Sequence, residues 1–174
     1  MESEIPAIES EFPEVVNLSN AQVNTVQAEL VRVSSSQIKQ VTAQEVDLRD
    51  SLAFVIDADT VNARKAEIAH VEAGNLTLLD GNVLAAKTDS LVLKGGRAGI
   101  VAANSAELEN GYVGIMVGRD VRGENIRTGI LISRNVQGNV ETSMDTRTAV
   151  LTGVVAGAVV GTLLMLGQFL FRRK

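Results

Sequence analysis

The amino-acid sequence predicts an all-β protein, a parallel β-solenoid of about eight to nine triangular coils, followed by one C-terminal transmembrane α-helix. Three observations carry this reading. From Val16 the chain divides into blocks of fifteen that hold register eight times, opening on Val16, Val31, Val46, Val61, Leu76, Leu91, Ala106 and Val121. A fixed period of this size marks units that stack only on their neighbours. Within each block the first, third, sixth, eighth, eleventh and thirteenth positions are apolar or small, and through Asn135 none of them holds Asp, Glu, Lys or Arg. Finally, residues 149–171 carry no charge and only two Thr and one Gln as polar residues.

Taken in order, residues 1–15 form an acidic arm. Glu2, Glu4, Glu9, Glu11 and Glu14 lie there without a Lys or Arg, and Pro6 and Pro13 keep the arm extended. It has no apolar run that could serve as a signal peptide. The first coil of a solenoid exposes an unpaired strand edge, and natural proteins cover or charge such edges. Phe12, Pro13 and Val15 are the residues suited to fold over that edge as a cap.

Residues 16–135 form eight coils. The inward positions come as three alternating pairs separated by two-residue interruptions, as in Val61 and Ala63, Ala66 and Ile68, Val71 and Ala73. Alternation is the strand signal, because successive side chains point to opposite faces. Three short strands with a corner after each make a three-sided coil, and coils stack about 4.8 Å apart. Small residues fill positions six and thirteen, as a narrow bore requires beside the larger side chains at positions three, eight and eleven. Positions five and fifteen are rich in Asn, Asp, Ser, Thr and Gly, among them Asp50, Asp80, Asn110, Asn75 and Asn135. Both columns are expected to supply the left-handed backbone that tight corners need.

Residues 136–148 read as a partial ninth coil and linker, because Glu141 falls on an inward position. At 1.5 Å per residue, residues 149–171 reach about 34 Å, enough to cross a bilayer. Gly153, Gly157 and Gly161 share one helix face, in the small-xxx-small spacing that lets helices approach closely in lipid. Arg172, Arg173 and Lys174 form a basic tail at the interface (residues 172–174). The expected location is a bacterial cytoplasmic membrane, crossed once by the C-terminal anchor, with the solenoid left on the cytoplasmic side.

The sequence offers little chemistry. His70 is the single histidine, and there is no cysteine. Zinc sites draw on those residues, and nucleophilic triads need a base. Glu109 and Glu124 stack one coil apart near Glu107 and Arg122, which reads as a solvated surface and not as a hydrolase cleft. With a net charge of −5 and 3% aromatic residues, nucleic acid is not an expected partner. No catalytic residue, metal, cofactor or small-molecule substrate is expected.

One outward feature stands out in coils six to eight. Positions ten and twelve become apolar, giving Ile100 with Ala102, Ile115 with Val117 and Ile130 with Ile132, each pair following Gly99, Gly114 or Gly129. Exposed contiguous apolar surface marks binding interfaces. A one-residue slip would turn these side chains inward and expose Val101, Met116 and Leu131 instead, leaving an apolar patch in either phase.

The stacked short-strand repeat over residues 16–140 resembles the bactofilins, bacterial cytoskeletal proteins whose core is a small triangular β-helix. The resemblance implies a non-enzymatic polymer-forming protein. The expected function is therefore a membrane-anchored structural scaffold or coat that associates laterally with its own copies through the solenoid and the helix. Its partners would be itself and the bilayer. The alternative is a membrane-tethered binding or adhesion module that presents its flat β-faces to a protein or polysaccharide.

Overall fold

The structure is a computed structural model and describes residues 13–144. It is built from β1 (Val15–Ser19), β2 (Gln22–Ser34), β3 (Gln37–Arg49), β4 (Leu52–Arg64), β5 (Glu67–Leu79), β6 (Asn82–Lys94), β7 (Arg97–Glu109) and β8 (Tyr112–Met144). These form one sheet in the order β1 to β8, every neighbouring pair parallel. Each residue pairs with the one fifteen ahead, from Val15 with Leu30 to Glu109 with Glu124, without a slip. The fold is a parallel β-solenoid, as the period predicts.

Every buried side chain falls on one of the six inward positions. Val31, Ile38, Val41, Val46, Ile56, Val61, Val71 and Met116 are wholly buried, and they stack into one continuous bore. Size is balanced across the bore. In coils five and six Leu78 and Leu93 occupy position three, while Gly81 and Gly96 occupy position six. A β-carbon on Gly81 would come within 2.7 Å of both the Leu78 side chain and the Ala66 carbonyl. In coils two and three that position holds serine. The Ser51 hydroxyl accepts the Ser36 amide at 3.1 Å and donates to the Arg49 carbonyl at 2.6 Å. Ser36 repeats the arrangement with the Ala21 amide and the Ser34 carbonyl.

The corners differ from the expectation. The left-handed column is position five: Asn20, Ser35, Asp50, Lys65, Asp80, Asn110 and Asn125 have φ between 48° and 52°, and Gly95 has 71°; Gly96 next to it and Gly138 in coil nine also have positive φ. Position fifteen, expected to do the same, runs through the strand at Asn75 and Asp120 with no positive φ. Two of the three corners are therefore bends inside a 13-residue strand, and only the third interrupts the ladder. Even there the hydrogen bonds continue, with Asp50 N donating to Arg64 O at 3.1 Å and Leu52 N to Ser36 O at 3.0 Å.

At the ends, the ladder starts one residue before Val16 and runs on to Met144. Pro13 and Val15 lie along the ladder and not across its edge. Val15 pairs with Leu30, and the Pro13 carbonyl accepts the Glu29 amide at 3.3 Å. They prolong the first coil, which corrects their expected role as a fold-over cap; Phe12 lies outside the described residues. Glu141 is exposed and sits 3.6 Å from Arg127. Residues 149–171, with Gly153, Gly157, Gly161 and the Arg172, Arg173, Lys174 tail, also lie outside the described residues. Among the described residues no helix is long and apolar enough to cross a membrane.

Candidate functional site

A corner of the solenoid holds two consecutive residues, positions nine and ten, and both face outward. Position twelve follows on the adjoining flat face, projecting outward between the inward positions eleven and thirteen. Because the register never slips, residues at these positions form continuous columns, and a run of apolar side chains becomes a ridge.

Ile100 is 54% exposed, and Val117 and Ile132 are nearly as open. Ala102 is exposed, while Ile115 and Ile130 are half-buried against their neighbours. Val101 and Met116 are wholly buried and Leu131 nearly so, which rules out the slipped phase. The structure thus places the six patch residues on one side of the solenoid, with Ile100 stacked on Ile115 and Ala102 on Val117.

The ridge is longer than the sequence pattern suggested. Phe54 and Val55 in coil three and Leu84 in coil five, the last 68% exposed, occupy positions nine and ten of the same corner. Ala69 and Ala85 bridge between them, and His70 is the one polar member. The ridge therefore runs over six coils, about 29 Å at 4.8 Å per coil. From coil six onward position nine is glycine. A β-carbon on Gly114 would meet the Gly99 carbonyl oxygen at 2.7 Å, and one on Gly129 would meet that of Gly114 at 2.6 Å. The coils leave no room for a side chain at position nine here, so nothing from that position covers the isoleucines at position ten.

Charges border the ridge on the early coils. Glu72 lies 3.7 Å from the His70 imidazole and 3.6 Å from Lys87. All three side chains are about half exposed or more, so each contact is worth little in water. Asp57, Glu72 and Lys87 hold position twelve in coils three to five, where Ala102, Val117 and Ile132 hold it later. The apolar surface is thus widest in coils six to eight.

Two shallow troughs mark the face of positions two to four. One, of about 660 Å³, runs along coils one to five between Asn17, Arg32, Asp47 and Asn62 on one rim and Arg49 and Arg64 on the other. The second, about 410 Å³, lies beside Glu107, Glu109, Arg122 and Glu124. Glu109 is held by Lys94 at 3.2 Å. Among the described residues no group of three or more His, Asp or Glu is placed to hold a metal ion. No protein-family model, curated protein or solved structure matches this chain at a significant level.

Proposed function

We propose that the chain is a structural scaffold, held to a membrane by residues 149–171, whose solenoids pack side by side through the apolar ridge. The observation that carries this is the ridge itself: Phe54, Val55, Leu84, Ile100, Val117 and Ile132 stand exposed along one side of the solenoid. Contiguous apolar surface of this extent is costly in water and is relieved by a partner.

A second copy is the partner that fits. Packed parallel, coil against like coil, the widest apolar stretch of one solenoid meets that of the next. Packed antiparallel with the two ridges in full overlap, Ile130 and Ile132 of coil eight would meet Val55 and Asp57 of coil three, and Val117 would meet Glu72. Parallel packing also leaves every C-terminal end on the same side, as a common membrane requires. The scaffold turns over no substrate in this reading.

The test is the size of the full-length protein in detergent. The wild type should be oligomeric, and Ile100→Lys with Ile132→Lys should reduce it to smaller species while the far-ultraviolet sheet signal stays unchanged. Both residues are exposed, so lysine there does not enter the bore. A monomeric wild type, or a variant of unchanged size, would overturn the proposal; the first result would favour a module that displays its faces to another molecule.

A further inference from the structure

The face carrying positions two and four lies on another side of the solenoid from the ridge. From coil three to coil eight, position four reads Arg49, Arg64, Leu79, Lys94, Glu109 and Glu124. Arg49 and Arg64 are direct ladder neighbours, and so are Glu109 and Glu124. Like charges opposite one another in a sheet are destabilising. Opposite charges stack in the solenoid as well, as in Arg32 with Asp47 at 3.6 Å, Lys87 with Glu72 at 3.6 Å and Lys94 with Glu109 at 3.2 Å, while Asp57 with Glu72 is a further like pair, on another face. Neither arginine of the like pair has an ion-pair partner among the described residues.

The column is complementary to itself when reversed. Let a second copy face this side after rotation about a twofold axis that crosses the face between coils five and six. Coil three then meets coil eight, coil four meets coil seven, and each column meets its own reverse. Arg49 faces the partner's Glu124 and Arg64 faces the partner's Glu109. In the position-two column, Asp47 faces the partner's Arg122 and Asn62 faces the partner's Glu107. No like charges oppose each other. A shift of one coil in one direction sets Arg64 against the partner's Lys94 and Asp47 against the partner's Glu107. A shift in the other direction sets Lys94 against itself.

We propose that this face is a second self-recognition surface, which pairs two copies antiparallel in this single register. Such an interface is isologous, each patch serving twice, and charge complementarity supplies register and specificity. It uses none of the ridge residues and stands independently of the lateral array. Together the two contacts would join a pair of parallel arrays whose C-terminal ends point away from one another.

The chain has no cysteine, so an introduced one is unique. In the proposed register Ser34 of coil two faces the partner's Asn139 of coil nine, across about 10 Å, the spacing of stacked sheets. Full-length Ser34→Cys and Asn139→Cys proteins are mixed in detergent and treated with a bis-maleimide of that span. The mixture should give at least tenfold more cross-linked dimer than either protein alone, and less at about 0.5 M salt, where exposed charges are screened. Adding Arg49→Glu and Arg64→Glu to the first protein should cut the yield tenfold or more. Adding Glu109→Arg and Glu124→Arg to the second should then restore it, which separates lost pairing from misfolding. No heterodimer, a dominant Ser34→Cys homodimer, or failure of restoration would overturn the pairing. Ile100→Lys with Ile132→Lys should leave this cross-link intact, so the two surfaces fail or stand separately.

Discussion

Lys65 is a lysine held where the backbone favours asparagine or glycine. Its φ is 50°, in the same column where Asp50, Asp80, Asn110 and Asn125 take the same conformation. For an L-residue the left-handed region costs roughly 1–2 kcal/mol, and Asn and Asp escape part of that cost through local hydrogen bonds of their short polar side chains. Lys65→Asn keeps the backbone bond from its amide to the Leu79 carbonyl, 2.9 Å long. It should therefore stabilise the solenoid by about 0.5–1 kcal/mol. The matching control is Thr60→Asn. Thr60 stands at position fifteen, inside β4, where the chain turns without leaving the strand region. There asparagine replaces a good strand former with a poor one, at a cost of up to about 1 kcal/mol. Thermal unfolding of the full-length protein, followed at the sheet band, reads both. At roughly 2–4 °C per kcal/mol for a chain of this length, Lys65→Asn should raise the midpoint by about 1–4 °C and Thr60→Asn should lower it. Equal effects of the same sign would refute the claim that only one of the three corners is left-handed.

Two further substitutions probe the interior. Ser51→Ala removes the acceptor of the Ser36 amide and the donor to the Arg49 carbonyl. Ala66 fills the same position one coil later, so the space suits alanine and the cost should come from hydrogen bonding alone. Loss of about 1–2 kcal/mol in urea unfolding is expected, and no loss would mean the serine ladder is incidental. Gly114→Ala places a methyl group 2.7 Å from the Gly99 carbonyl and should cost about 1–3 kcal/mol. Ala69→Gly in the same column, where a β-carbon is already accommodated, should cost no more than about 1 kcal/mol. A harmless Gly114→Ala would show that the glycine corner has slack.

Much of this architecture is legible in the sequence because a solenoid converts period into place. Residues fifteen apart must touch, so the columns of Val31, Val46 and Val61 could be read as neighbours before any coordinates. The uncharged columns named the buried positions for the same reason, since a charge in so narrow a bore has neither water nor partner. The corners were harder to read. Asn and Asp tolerate left-handed backbone better than other side chains, but they also suit an outward bend in a strand. Asn75 and Asp120 could not be told from Asp80 and Asn110 by residue type. The start of the ridge was missed for a different reason. Phe54 and Leu84 occupy position nine and adjoin position ten, so two consecutive residues point outward. The sequence reading followed positions ten and twelve, where Asp57, Glu72 and Lys87 end the apolar run, and position nine lay in the two-residue interruption beside them. The signal was present in the columns, which carry apolar residues at this corner from coil three.

The unbroken fifteen-residue offset has a consequence for how such a protein can change. Every storey is built on the same ground plan, so one block could be duplicated or excised without changing the pairing register of the rest. Each such event would alter the height of the column by about 4.8 Å. Whatever is fastened beyond Met144 would then lie nearer to or farther from the opposite end by whole steps, like a mark on a ruler.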